Sequence, residues 1–135
     1  MKKTGFILSL SIGLLLVGCS SDSVPPLGGG YQSEFVQGYI VQMGIQPDDN
    51  TFVEYIDNRE VDRGTYEEKA DNIYLFKSDK QKFEVILTSE DSFEIYIEKI
   101  NGDEPIKLIN IDKVPTYFSI EFDDVEEYEK LLNEK

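Results

Sequence analysis

From Phe35 onward the chain falls into short runs in which apolar and polar residues alternate, each closed by turn residues. A period of two places successive side chains on opposite faces of an extended strand. Runs of five to about nine residues are strand-sized and too brief for stable helices. Residues 35–43, 52–57, 64–69, 73–77, 83–88, 93–100, 106–111 and 117–122 read as strands. Phe35, Tyr39, Val41 and Met43 share one face of the first, and the polar run 64–69 reads as an edge strand. Turn chemistry separates the runs at Pro47-Asp48-Asp49-Asn50, Ser78-Asp79-Lys80-Gln81 and Ser89-Glu90-Asp91-Ser92, while Asp57-Asn58-Arg59-Glu60 begins a charged connection. Asn101-Gly102 is the strongest hairpin signal, because both residues tolerate the positive φ of a type I′ turn. The expected fold is mainly β: an antiparallel meander of about eight strands forming a small barrel or sandwich.

The C-terminal tail breaks this pattern. Asp123 and Asp124 precede Val125, and Glu126 and Glu127 follow at capping-box spacing. Val125, Tyr128 and Leu131/Leu132 recur at helical spacing, so a short helix over 124–133 is expected to dock on the sheet. The middle strands carry apolar residues on both faces. Phe83, Val85 and Leu87 form one set with Phe93, Ile95 and Ile97, which reads as core. Tyr74, Phe76, Ile86, Tyr96, Ile109 and Ile111 form a second set. It is either a second buried surface or an exposed patch, with Tyr74, Phe76 and Tyr96 as candidate binding residues.

Ahead of the β-rich part stands a leader. Lys2 and Lys3 are followed by an uncharged run over residues 5–17, then Leu16-Val17-Gly18-Cys19. A helix of about thirteen residues spans about 20 Å, short of a hydrocarbon core of about 30 Å. The run suits a signal peptide rather than a permanent span. Leu-Val-Gly-Cys resembles the lipobox of bacterial lipoproteins. That resemblance implies cleavage between Gly18 and Cys19, diacylglyceryl and N-acyl attachment at Cys19, and a mature protein anchored at the extracytoplasmic face of the cell membrane. It implies the cytoplasmic membrane of a Gram-positive cell, or the outer membrane of a Gram-negative one. Cys19 is the single cysteine, so no intramolecular disulfide can form. Two acyl chains give a stable anchor where one does not.

Residues 20–30, rich in Ser, Pro and Gly, read as a flexible tether, about 36 Å at full stretch. The Gly28-Gly29-Gly30 run reads as a swivel, since no Lys-Ser/Thr follows it as in a phosphate loop. The expected organisation is a removed signal at 1–18, a lipidated cysteine and linker at 19–30, and one β-rich domain at 31–135.

Composition narrows the function. Net charge is −14, and loss of Lys2 and Lys3 with the leader takes it to about −16. Such a chain lacks the basic stripe that tracks nucleic acid and should be repelled by anionic lipid. There is no histidine, which removes the usual base and the imidazole metal ligands. Lipidation takes the one thiol, so Cys-His and Ser-His-Asp catalysis are not expected. Among 27 acids, a pair such as Glu94 and Glu98 needs no glycosidase explanation. The turns at Asp48-Asp49-Asn50 and Asn101-Gly102-Asp103-Glu104 lack the spacing of a calcium loop. No enzyme, cofactor or metal is expected.

Small acidic β-domains on such tethers are similar to immunity-type and lipocalin-like lipoproteins. The first likeness implies binding to another protein, and the negative field would steer a basic partner. The second implies a carrier of a small hydrophobic ligand inside a closed barrel. Replacing Cys19 with Ala should abolish acyl labelling and the lipoprotein-type cut and release the protein from membranes; unchanged labelling and retention would refute the anchor.

Overall fold

The computed structural model describes residues 23–115, 117–118 and 120–132. Gly18, Cys19 and the leader lie outside the described residues, as does Asn133 at the end of the expected tail helix. Eight antiparallel strands form one curled sheet: β1 (Gly29–Gln32), β2 (Val41–Gln46), β3 (Thr51–Ile56), β4 (Arg59–Ala70), β5 (Ile73–Ser78), β6 (Lys82–Ile86), β7 (Ser92–Ile95) and β8 (Ile106–Asp112). Their order across the sheet is β6-β5-β4-β3-β2-β1-β8-β7. Read around the barrel, every strand neighbours the next in sequence, and β1 pairs with β8. The fold is therefore an up-and-down meander rolled into a nearly closed barrel, and the one break among these strands falls between β6 and β7.

The count of eight strands agrees with expectation, but the set differs. Residues 117–118 and 120–122 form no strand; Phe118 instead packs edge-on over Tyr55, ring centroids 4.8 Å apart. The missing strand is supplied by the glycine run, which is no swivel. Gly29 has φ +100°, and a side chain there would collide with the backbone of Asp112 and Lys113. Glycine thus permits a close approach of two chains, beside a bulge between Gly30 and Tyr31. The Asn110 side-chain amide donates to the carbonyls of Gly28, Gly30 and Asp112 at 3.2, 3.3 and 3.1 Å. Lys113 Nζ donates to Pro26 O at 3.0 Å. Leu27 is in the core and Val24 packs against it, so the folded part begins near Val24 rather than at residue 31.

Three further readings change. The expected polar edge strand belongs to β4, a twelve-residue strand held between β3 and β5. Its inward Val61 and Tyr66 are buried while Glu67, Glu68 and Lys69, toward its end, are exposed. The tight turn lies at Asp57-Asn58, with φ of 52° and 72°, joining Ile56 to Arg59 as a two-residue positive-φ hairpin. Asn101-Gly102 ends a helical turn, α1 (Glu98–Asn101), where Gly102 at φ 61° donates its N–H to Glu98 O. Ile97 and Ile100, three apart, both bury, a spacing suited to a helical turn.

The tail helix α2 is shorter than expected, Val125–Glu129. Asp124 makes no side-chain cap. Both of its carboxylate oxygens accept from Arg59, Nε and Nη2 each at 3.0 Å, and the guanidinium lies 3.9 Å from the Phe122 ring centroid and 4.7 Å from that of Tyr128. A bidentate, ring-stacked arginine docks the helix where the short α2 could not hold itself.

The interior is filled by side chains. Phe76 is its hub: its ring centroid is 5.0 Å from Phe52, 5.5 Å from Tyr66, 5.2 Å from Phe83 and 6.3 Å from Phe93. It bridges β6 and β7 from inside. Phe76→Ala should lower unfolding free energy by about 3–5 kcal/mol, measured by urea denaturation; a loss under about 1 kcal/mol would deny Phe76 this place.

Candidate functional site

Strand register decides where the candidate residues lie. Tyr74 pairs with Val85 and Phe76 with Phe83 across β5 and β6, so both share the inner face with the predicted core set. Tyr74 is 8% exposed and Phe76 0%. They line no surface, and the proposed trio with Tyr96 is not brought together. On the other side, Phe93 pairs with Leu108 on the inner face. That leaves Tyr96, Ile109 and Ile111 outside at 62%, 41% and 58% exposure, with Ile86 of β6 at 65%. The second apolar set therefore divides into two core residues and an exposed group of four.

Of the exposed group, Ile109 and Ile111 lie on β8, separated from the barrel's break by β7, while Ile86 and Tyr96 flank the break. At its narrow end, Thr88 N–H donates to Ser92 O at 2.9 Å, and their hydroxyls lie 2.8 Å apart. Beyond that point β6 and β7 splay, and no described backbone hydrogen bond joins them. Two clefts follow the seam, about 390 Å³ near Thr88 and about 550 Å³ at the wide end; Glu84 and Tyr96 border both. Phe83, Ile95 and Ile97 floor the wide cleft, and Leu131 and Leu132 stand at its mouth. Lys80 Nζ lies 3.6 Å from Glu129, and Lys99 Nζ donates to Lys130 O at 3.0 Å, holding that C-terminal segment in place.

Backbone groups along the seam follow from antiparallel alternation. Ser78 N–H bonds to Gln81 O and Leu87 N–H to Asn72 O, so Phe83, Val85 and Leu87 are the residues of this stretch bonded to β5. Lys82, Glu84 and Ile86 turn their N–H and C=O groups toward the gap. Asn110 N–H bonds to Asp91 O, so Phe93 and Ile95 bond to β8, and Glu94 and Tyr96 face the gap. The side chains of these five residues are exposed.

The rim is acidic. Lys107 is 3.3 Å from Glu90 and Lys80 pairs with Glu129, but Glu84, Glu94 and Glu98 make no ion pair with described residues. Glu94 sits on β7 and Glu98 in α1, both exposed. Among the described residues no group of three His, Cys, Asp or Glu could hold a metal, and no helix is long and apolar enough to cross a membrane.

A buried polar cluster, not foreseen from sequence, lies just inside the wide end. Glu54 pairs with Asp62 across β3 and β4 and is 1% exposed. Gln81 Nε2 donates to Glu54 Oε1 at 2.8 Å and to Asp62 Oδ2 at 2.7 Å. Ser78 Oγ also donates to Asp62 Oδ2, at 2.7 Å. Glu54 Oε2 has no partner among the described residues. Burial, reinforced by Asp62, pushes the Glu54 carboxyl up to about 7 against the opposing Gln81 bond and Lys80 charge. The sequence offered a weak signal: Phe52, Glu54 and Ile56 occupy one alternating row. A second lock closes the other end of the barrel. Tyr31 Oη donates to Asp91 at 2.7 Å and accepts from Gly28 N–H at 3.2 Å. Burial and Asp91 hold the phenol above its ordinary range.

No family model matches this chain, and no curated protein or solved structure matches it.

Between pH 4.5 and 7 the folded chain keeps a proton on Glu54 that the unfolded chain releases. Stability contributed by that proton is lost as pH rises through this window. Glu54→Gln should match the parent near pH 4.5 and exceed it by up to about 3 kcal/mol above pH 7. Urea denaturation across the range measures this gap; a gap independent of pH would deny Glu54 the raised value.

Proposed function

We propose that this chain is a bacterial surface lipoprotein, lipidated at Cys19, whose non-catalytic barrel binds another protein. The observation that carries the binding reading is the exposed apolar pair Ile86 and Tyr96, which border one cleft between β6 and β7, with Ile109 exposed on the neighbouring β8. Tyrosine and isoleucine left in water on adjoining strands suit a contact patch with an aromatic anchor. The partner is basic where it meets this face, because the chain carries −14 overall and Glu84 and Glu94 stand beside the patch. The leader supports the anchor: a basic start, a short apolar run and a cysteine at its end.

The carrier reading has less support. Tyr31, Phe52, Phe76, Phe93 and Met43 are among the largest fully buried side chains, and they occupy the interior that a small hydrophobic ligand would need. A photo-cross-linking residue at Ile109 in living cells should give one discrete protein adduct, while the same residue at Glu68 on β4 should give none. Adduct yield should fall as salt is raised. No adduct at Ile109, or equal adducts at both positions, would sink the binding reading.

A further inference from the structure

We propose that the seam between β6 and β7 receives an extended segment of a partner protein as an inserted β-strand, with apolar and basic residues alternating along the segment. This rests on the protein-binding reading above and names how the partner is held. Three observations converge on it. Lys82, Glu84 and Ile86 on one side, and Glu94 and Tyr96 on the other, direct backbone donors and acceptors into the same gap. Unpaired edges of this kind are templates for a further strand. The floor of the gap is apolar, formed by Phe83, Ile95 and Ile97, so every second residue of the guest meets hydrocarbon. The rim beside it holds Glu84, Glu94 and Glu98 without ion partners among the described residues, against Lys82, so the outward residues of the guest are lysine or arginine.

Because β6 and β7 run antiparallel to each other, the guest runs antiparallel to one edge and parallel to the other. Ile86 and Tyr96, on the outer rows, pack against its exposed side. Phe76 explains why the seam is splayed rather than zipped. Its ring stacks on Phe83 at 5.2 Å and meets Phe93 at 6.3 Å, wedging the two strands from within. A second copy of this chain is the poorer guest, since two chains of charge −14 repel.

The test uses the intact protein in detergent micelles and an eight-residue peptide of alternating valine and lysine. Hydrogen exchange of residues 82–86 and 94–96 should be fast in the free protein and slow at least tenfold with 1 mM peptide. The same peptide N-methylated at every second residue, and the parent peptide with the E84K/E94K protein, should each bind at least tenfold more weakly. Slow exchange without peptide would mean that β6 and β7 pair directly, and would overturn the proposal. So would undiminished binding of the N-methylated peptide, no binding at 1 mM, or self-association through this edge in sedimentation. A failed peptide experiment with a retained Ile109 adduct removes the inserted strand alone; loss of both removes partner binding as well.

Discussion

The pairing of β1 with β8 is the constraint on which the architecture depends. Without it the sheet would have free edges at both ends of the chain's own order. With it, the first and last strands close on each other and the break moves to the middle of the sequence. That closure is made by a four-residue strand that opens with two glycines. Glycine allows the two backbones to approach where any side chain would collide, and Asn110 gathers three carbonyls around the join. The same contact draws the segment from Val24 to Gly30 into the fold, so residues with the composition of a linker become part of the barrel wall.

Much of the fold was legible because the physics was local. Alternation marked the inward rows of β6 and β7 and, in β2, Val41 and Met43, although Phe35, expected in the same row, precedes the strand and is 72% exposed; turn residues marked the bends after β2, β5 and β6. What escaped depended on partners distant in sequence. Gly29 reads as flexible until Asp112 lies against it. Tyr74 and Phe76 alternate just as an exposed row would; only their register with Val85 and Phe83 assigns them to the inside. Asp124 has the spacing of a cap, but Arg59, 65 residues away, offers two charged donors and takes it. The aromatic site trio failed for the same reason that the exposed group was half visible: residue type was read correctly, while the face required the neighbouring strand.

The interior is divided along its length. An aromatic cluster centred on Phe76 fills the middle, and a carboxyl pair bridged by Gln81 occupies one end. Gln81 immediately precedes β6, so the polar cluster adjoins the wide end of the seam. Both features bear on β6: the cluster holds its start to β3 and β4, while Phe76 packs against its Phe83 and against Phe93 of β7. The strand is fixed at two ends and unsatisfied along one side. Few strands in a closed sheet are left in that condition, and here the side left open is also the one lined by acids that make no ion pair with the described residues.

The early entry of the chain into the barrel has a geometric consequence. Counted from Val24, the path back to Cys19 is only five residue steps, about 18 Å at most. In the lipid-anchored reading, a leash that short fixes orientation. The end of the barrel bearing the turns at 47–50, 71–72 and 88–91 must face the bilayer. Helix α2 and the wide mouth of the seam then point away from it, toward whatever approaches the cell. On that reading the barrel would rock on its stem without inverting, and the membrane itself would aim the opening outward.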